Sequence, residues 1–311
     1  IVTGYSYDTG SSSDYATIKY SSEGVPLWTN RYNGPGNGSD YATAVAVDGG
    51  NNVIVTGWSP SSGGDYHYAT VKYSSEGVPL WTNRYIGSAN SLDRAFAVAV
   101  DSSNNVVVTG KSMGKVNDYD YATVKYSSEG VPLWTNRYIG SRLFGTDSAC
   151  SVAVDSNNNI IVTGWSGNFA TLVDAVYATV KYSSAGVPVW TNRYSAPASG
   201  TNQPYAMALD RTGNVIVAGY SQGAGSGSDF TTIKYLCVPS PVLTGRQLTN
   251  GTFQLLVEDV LLSGTLVIEA STNLGGWAPV FTNTTPTNAL FYTDPDADNW
   301  PVRFYRAFQF P

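Results

Sequence analysis

A tandem repeat of about fifty-three residues runs through most of this 311-residue chain. A Thr-Gly or Ala-Gly pair follows a β-branched run five times, with its glycine at Gly4, Gly57, Gly110, Gly164 and Gly219. Successive glycines are 53, 53, 54 and 55 residues apart. A repeat of this length restricts the chain to folds in which one small unit is copied and stacked against its neighbours.

Four short segments recur around each glycine, and in the second copy they are 44–48, 53–57, 68–73 and 78–85. They are rich in Val, Ile, Thr, Tyr and Trp and are bounded by Gly, Ser, Asn and Asp, which is typical of strands joined by turns. No segment keeps a 3.6-residue periodicity for three turns, so helical repeats are excluded. A four-stranded meander in every repeat predicts the blades of an all-β β-propeller, with an open β-solenoid or fibre as the alternative.

The repeat also resembles a known family. Its runs Ala-Val-Ala-Val-Asp, Asn-Asn-Val-Ile-Val-Thr-Gly and Tyr-Ala-Thr-Val-Lys-Tyr, followed by Gly-x-x-x-Trp, are similar to the bacterial β-propeller repeat often called the SBBP repeat. The resemblance covers about residues 1–236. It implies a propeller in a secreted or envelope protein, and it implies no shared enzymatic activity.

About five repeat units are represented, and both end units are incomplete. The first copy lacks its first segment and the fifth copy lacks its last, because Leu236-Cys237-Val238-Pro239 departs from the pattern. Since the chain begins within a strand, we expect further residues upstream. The sequence leaves open whether the propeller closes with strands from its two ends or belongs to a larger ring. An unclosed ring would expose sheet edges to pairing with another chain.

The repeat predicts a propeller domain at 1–237, and residues 242–311 form a second domain. Its alternating apolar segments, separated by turns, lie at 253–257, 265–270, 280–283, 290–292 and 304–308. Short strands over about seventy residues predict a small β-sandwich of the immunoglobulin or fibronectin type. The region is loosely similar to C-terminal modules of secreted bacterial proteins, which implies attachment, sorting or capping of the propeller edge.

Composition narrows the possible partners. A formal net charge of -6 argues against binding nucleic-acid phosphates, and no apolar run approaches the length of a membrane span. We therefore expect neither a nucleic-acid partner nor a membrane span, and the resemblance to the SBBP repeat implies a secreted or cell-surface protein. Cys150 and Cys237 lie at non-equivalent positions of the repeat, so a disulfide between them and two buried thiols both stay open.

The connections that differ between copies all leave the blades at one end. They join the second to the third segment and the fourth segment to the next blade, and variable loops on a rigid scaffold usually carry binding specificity. On this loop face we expect a glycan or a partner protein to contact the residue after each repeated glycine: Tyr5, Trp58, Lys111, Trp165 and Tyr220. Packing at the blade ends is the competing interpretation.

Residues copied into every blade are predicted to be structural. The Trp of the fourth segment should pack between blades, and the repeated Lys should pair with a repeated Asp or with a backbone carbonyl. Catalysis needs an asymmetric constellation, and the sequence contains one histidine, no serine-nucleophile elbow and no phosphate loop. We therefore predict a non-catalytic binding or scaffold protein without a cofactor.

Two alternative functions remain. One is a structural subunit of an extracellular assembly or filament, joined through propeller edges or the C-terminal module. The other is a carbohydrate-active hydrolase that uses carboxylates approaching the loop face: Asp14, Asp40, Asp65, Asp93, Asp118 and Asp147.

The segment 294–299 clusters carboxylates in the manner of a calcium loop, with Asp294, Asp296 and Asp298 as candidate ligands. It lacks the Gly and the downstream Glu of an EF-hand loop. An ordinary acidic turn is the alternative.

Overall fold

A computed structural model of the chain describes residues 1–7, 12–89, 91–114, 118–140, 145–167, 175–196, 200–223, 225, 227–236, 241–248, 252–258, 260, 265–287 and 289–310. The chain divides into two compact units, Ile1–Tyr235 and Leu236–Pro311. Cys237 lies outside the described residues.

The first unit is a set of antiparallel blades, one for each repeat, and the predicted β-propeller fold is confirmed. Blade I contains β1 (Val2–Tyr7), β2 (Ser13–Tyr20) and β3 (Pro26–Tyr32). Blade II contains β4 (Tyr41–Val47), β5 (Val53–Pro60), β6 (Tyr66–Tyr73) and β7 (Pro79–Tyr85). Blade III contains β8 (Asp93–Val100), β9 (Val106–Met113), β10 (Tyr119–Tyr126) and β11 (Pro132–Tyr138). Blade IV contains β12 (Thr146–Val154), β13 (Ile160–Gly167), β14 (Val176–Tyr182) and β15 (Pro188–Tyr194). Blade V contains β16 (Gln203–Leu209), β17 (Val215–Gly223) and β18 (Gly227–Tyr235).

The repeated glycine marks a close approach between the first two strands of a blade. A Cβ atom on Gly57 would lie 1.9 Å from the carbonyl oxygen of Tyr41, and Gly110, Gly164 and Gly219 are equally confined. At this level the first strand carries a β-bulge, between Ala42 and Ala44 in blade II. Glycine is therefore repeated at this position because a side chain there would clash with the bulged first strand.

The second strand continues past this glycine, contrary to the pattern read from the sequence. β5 extends to Pro60, because the backbone after Gly57 still pairs with β4 on one side and β6 on the other. The candidate binding residues after the glycines therefore lie within strands, before the variable loops begin.

Adjacent blades are held together by a tyrosine of the third strand. It is fully buried in the first four blades, as Tyr15, Tyr68, Tyr121 and Tyr177. The Tyr121 hydroxyl donates to the carbonyl oxygen of Ala178 in the next blade at 3.1 Å. The equivalent residue of blade V is Phe230, which is 82% exposed.

The repeated lysine pairs with the repeated aspartate, in agreement with the prediction. Lys125 Nζ lies 2.8 Å from Asp101 Oδ2 and also donates to the carbonyl oxygen of Ser184 in the next blade. The repeated tryptophan packs on a glycine with positive φ in the next blade, as Trp81 does on Gly130. Each repeated residue thus joins two blades, and this supports the structural interpretation.

Each end blade has one face that no other blade covers among the described residues. Buried apolar clusters join blades I to II, II to III, III to IV and IV to V, and the described residues form no such cluster between V and I. Val2 of blade I is 58% exposed, whereas its equivalent Val55 in blade II is 0% exposed. The described part of the propeller is therefore not closed into a ring.

The second unit contains two three-stranded antiparallel sheets. One contains β19 (Val242–Gln247), β20 (Phe253–Glu258) and β23 (Leu290–Thr293). The other contains β21 (Thr265–Ser271), β22 (Ala278–Asn283) and β24 (Phe304–Phe310). Leu255 and Val257 of the first sheet pack with Leu266 and Ile268 of the second in one core. β19 was missed in the sequence because its side chains are mostly exposed and do not alternate in polarity.

Candidate functional site

Four aromatic rings from three blades form a continuous row, called here the aromatic strip: Tyr5, Tyr41, Trp58 and Phe96. The ring centroids of successive pairs are 5.0, 5.4 and 5.9 Å apart. Tyr5 is exposed and the other three side chains are partly buried. The successive ring planes are inclined by 70°, 31° and 73°, so the surface is ridged rather than flat.

Local strand geometry places these rings side by side. Trp58 pairs across the sheet with Tyr41, and Phe96 is the bulged residue of β8, between Ala95 and Ala97. The bulge re-aims a side chain, as bulges commonly do next to functional sites. It brings the Phe96 ring from blade III against Trp58 of blade II.

Two cations adjoin the strip, and they are called here the cation pair. Arg94 and Lys111 are cross-strand partners on β8 and β9. The Arg94 guanidinium lies over the Trp58 ring at 5.3 Å, and Lys111 Nζ lies 4.6 Å from the centre of the Tyr119 ring. No described carboxylate lies within ion-pair distance of either. Burial and the neighbouring Arg94 charge together lower the pKa of Lys111.

Three of the five sequence candidates are therefore brought together. Tyr5 and Trp58 belong to the strip, and Lys111 joins it through Arg94. Tyr220 lies elsewhere, packed on Tyr205 with its hydroxyl donating to Gln203 Oε1 at 3.1 Å. Trp165 is partly buried in blade IV and forms no ring–ring contact with another described aromatic residue.

Tyr41, Phe96 and Arg94 were not singled out from the sequence, although a signal was present. The position of Arg94 is Tyr41 in blade II, Ser148 in blade IV and Gln203 in blade V. Such differences between otherwise similar copies are visible once the strand pairing is known.

Tyr220 also lines a hollow of about 390 Å³ on the uncovered face of blade V, together with Tyr205, Phe230 and Asp229. The hollow is largely apolar and open to solvent. In the interior blades the corresponding surface is filled by the next blade, as at Tyr121, so the hollow fits a docking face for a further blade.

Three of the carboxylates near the loop face accept hydrogen bonds from the backbone. Asp40, Asp93 and Asp147 are buried, and each accepts a backbone N–H bond, from Gly34, Gly87 and Gly140 respectively. Asp14 and Asp118 are also buried, and Asp65 is partly buried.

The residue that faces each buried aspartate varies between blades. His67 Nδ1 lies 3.1 Å from Asp93 Oδ2, whereas the carboxylate nearby in the equivalent part of blade I is that of Asp14. Burial chiefly, and the Asp14 charge to a smaller extent, raise the pKa of Asp40 against hydrogen bonds from Ser59 and Gly34 that lower it. An amide serves at the equivalent place in blade V, where Asn202 Oδ1 accepts from Ala196 N and its Nδ2 donates to Ala175 O.

Replacing Asp40 with Asn is expected to stabilise the protein at pH 7 by about 1 kcal/mol, the scale of one net hydrogen bond. The new amide would donate to the Ser13 carbonyl oxygen, which already accepts from Asp40 N as Ala175 O does from Asn202 N. A carboxyl with a raised folded-state pKa binds more protons in the folded than in the unfolded state. Its ionisation therefore destabilises the folded state as pH rises, and this destabilisation disappears at acid pH. The gain should therefore shrink below about pH 4.

Thermal unfolding of Asp40→Asn at pH 7 and at pH 3.5 measures this effect. Asp101→Asn is the control, and it should destabilise the protein at pH 7. The reason is that bonds from Lys125 and Asn105 outweigh burial and lower the pKa of Asp101. A loss of stability in Asp40→Asn at pH 7 would show that the Asp40 charge is compensated.

The acidic turn of the second unit is internally bonded. Asp294 Oδ2 lies 2.9 Å from Arg303 Nε and accepts from the Tyr305 hydroxyl at 2.8 Å. Within the described part of the chain, no three His, Cys, Asp or Glu side chains are grouped to hold a metal ion. Calcium binding by Asp294, Asp296 and Asp298 stays a prediction.

Cys150 is a free thiol at the bulge of blade IV. Its Sγ donates to the carbonyl oxygen of Pro204 in the next blade at 3.3 Å, and burial raises its pKa to about 12. Such a thiol is a poor nucleophile at neutral pH.

The chain has distant similarity to known proteins. No protein-family profile matches the chain. An uncharacterized WD repeat-containing protein of Acanthamoeba polyphaga mimivirus is 23% identical over 208 residues, covering 50% of this chain and 15% of that protein. The chain therefore spans a small part of this relative.

Three solved structures illustrate the structural likeness. A β-xylosidase/α-arabinofuranosidase from a compost microbial metagenome has 10% identity and a TM-score of 0.37, covering 86% of this chain and 91% of that one. A putative gluconolactonase has 9% identity and a TM-score of 0.33, covering 86% and 88%. A putative exo-β-1,3-galactanase of Bifidobacterium bifidum has 9% identity and a TM-score of 0.38, covering 72% and 78%.

No helix in the described residues is long and apolar enough to cross a membrane.

Proposed function

We propose that the propeller unit is a non-catalytic binding scaffold that holds a partner protein on the aromatic strip and the cation pair. The observation that carries the proposal is the continuous row of four incompletely buried rings across three blades. Trp, Tyr and Arg dominate the binding energy of protein interfaces. The ring planes are inclined to one another, so the strip does not offer the flat platform on which a sugar face stacks, and this favours a protein partner.

The location and the absence of catalysis belong to the same proposal. The resemblance to the SBBP repeat supports a secreted or cell-surface protein. The backbone bonds of Asp40, Asp93 and Asp147 support a structural role for the loop-face carboxylates, rather than a hydrolytic one.

Selection of a random peptide library on the immobilised full chain tests this function. Selected peptides should bind at least tenfold more weakly to Trp58→Ser and to Tyr5→Ser, because interface anchors of this kind contribute about 2 kcal/mol or more. Tyr5 is exposed, so its replacement leaves the core intact. Phe291→Ser in the second unit is the matched control for loss of an exposed ring.

Two results would contradict the proposal. Peptides that bind both strip variants as tightly as the original chain would place the site elsewhere. Binding on an oligosaccharide array followed by release of cleaved product would favour the carbohydrate-active hydrolase.

A second candidate function, a subunit of an extracellular assembly, is favoured by the uncovered blade faces. Phe230 and Val2 occupy positions that the interior blades bury against a neighbour. A second copy of this chain can supply the missing neighbour, since its blade I presents the surface that blades II to IV pack on the preceding blade. Such head-to-tail contacts build rings or filaments.

Light scattering after size-exclusion chromatography tests the assembly. The chain should associate with rising concentration, and Phe230→Arg and Val2→Arg should each raise the dissociation constant at least tenfold, because each would bury an unpaired charge. Phe291→Arg serves as the control. A strict monomer at high concentration would exclude self-assembly.

A further inference from the structure

The cation pair interrupts a repeat that is otherwise aromatic or neutral at these positions. The two cross-strand positions are Tyr41 and Trp58 in blade II, Ser148 and Trp165 in blade IV, and Gln203 and Tyr220 in blade V. Only blade III places charges there, as Arg94 and Lys111. An asymmetric feature in a repeated scaffold is where function is expected, because packing alone is satisfied by the other copies.

The cation pair is costly for the isolated chain. Like charges directly opposite each other in an antiparallel sheet are destabilising. Both side chains are only partly exposed, no described carboxylate is within ion-pair distance, and Arg94 Nε is buried without a hydrogen-bond partner. The whole chain carries a net charge of -6, so the two positive charges are not part of a general basic surface.

The geometry suits an incoming carboxylate. The Arg94 guanidinium is positioned over Trp58 by a cation–π contact, and this limits its conformations before any ligand binds. Arginine binds carboxylates through two parallel hydrogen bonds, which the two terminal nitrogens of its guanidinium can donate. Lys111, positioned on Tyr119, supplies a second charge-assisted donor.

We propose that Arg94 and Lys111 bind the carboxylates of an acidic peptide segment whose aromatic or apolar side chains contact Trp58 and Phe96. The inference rests on the proposed function and specifies the chemistry of the partner. Carboxylates would neutralise the cation pair, and adjacent rings would extend the aromatic strip. Binding should weaken as salt screens the charges.

Random copolymers of defined composition test the preference without knowledge of the natural partner. Fluorescently labelled poly(Glu,Tyr) is added to the full-length chain, and its anisotropy is compared with that of poly(Lys,Tyr). We expect poly(Glu,Tyr) to bind and poly(Lys,Tyr) not to bind. Arg94→Gln and Lys111→Gln should each weaken binding at least tenfold, whereas Arg211→Gln, an exposed cation outside the site, should change it less than twofold.

Thermal unfolding separates loss of the site from loss of the fold. Because either substitution relieves repulsion, Arg94→Gln and Lys111→Gln should be at least as stable as the original chain without copolymer. Variants that keep their melting temperature and lose poly(Glu,Tyr) would support a binding role.

Several results would overturn the acidic preference. The first is that the glutamine variants bind poly(Glu,Tyr) as tightly as the original chain does. The second is that the chain binds poly(Lys,Tyr) as tightly as poly(Glu,Tyr), and the third is that it binds neither copolymer. If library-selected peptides still depend on Trp58 in these cases, the scaffold function stands and only the acidic preference fails. Displacement of poly(Glu,Tyr) by polygalacturonate at lower concentration would favour an acidic glycan over a peptide.

Discussion

Replacing Lys125 with Met is expected to destabilise the propeller unit by about 3–5 kcal/mol, the scale seen when one partner of a buried ion pair is removed. The side chains of Lys125 and Asp101 are 4% and 2% exposed. Without the lysine, the Asp101 carboxylate would remain buried with only its bonds from Ser103 N, Asn105 N and Asn105 Nδ2. Guanidinium unfolding followed by far-UV circular dichroism measures the loss.

Blade V provides the matched control for this substitution. Lys234 and Asp210 form the same pair at 2.9 Å, but the lysine side chain is 49% exposed. Lys234→Met should therefore cost about 0–1 kcal/mol, the range of solvent-exposed pairs. Equal losses in the two blades would mean that burial between blades does not set the strength of the pair.

The Lys125 effect should also depend on pH. Bonds from Lys125 and Asn105 outweigh burial and lower the folded-state pKa of Asp101, so the pair stabilises the fold above the ordinary carboxyl pKa of about 4. That contribution is lost as pH falls through the lowered folded-state value. The stability difference between the original chain and Lys125→Met should accordingly narrow in strong acid.

Replacing Tyr121 with Ala is expected to cost about 3–5 kcal/mol, as for other large aromatic side chains removed from a core. Tyr121 is 1% exposed and joins blade III to blade IV, where its ring packs with Val162 and Ala178. Tyr121→Phe should cost about 1 kcal/mol, since it removes the hydroxyl bond to Ala178 O and keeps the ring.

Phe230→Ala supplies the contrast at the same repeat position. Its ring is 82% exposed, so the stability of the monomer should change by less than about 0.5 kcal/mol. Guanidinium unfolding of the three variants under identical conditions makes the comparison. A large loss in Phe230→Ala at a concentration where the chain is monomeric would show that the blade V face is covered in solution.

Much of the fold was predictable because the repeat multiplies each local signal. The period of the glycines, the alternation within segments and the turn residues between them predicted the strands of each blade. The pairing of repeated Lys with repeated Asp was also predictable, because a charge that recurs beside buried residues needs a recurring counter-charge. β19 and the longer second strands were missed, since exposed residues and a Trp-Ser-Pro run carry little alternation.

The candidate site was predictable only in part. Tyr5, Trp58 and Lys111 stood out because they follow the repeated glycine, but the same rule also selected Trp165 and Tyr220, which lie apart from them. Arg94 and Phe96 were missed because their roles depend on the β-bulge of β8, which shifts the register between β8 and β9.

The sequence by itself determined that this protein is built of copied four-stranded units, because periodic hydrophobicity and turn chemistry are local properties of the chain. It also determined which residues serve packing, since those recur in every copy. Only the tertiary structure decided that rings from three blades meet in one strip. It also decided that Arg94 and Lys111 face each other with no described carboxylate within ion-pair distance, and that no described blade covers the outer faces of blades I and V. In the strip and the cation pair these contacts join residues 17 to 38 positions apart, so their distances follow from strand pairing and from how the blades stack.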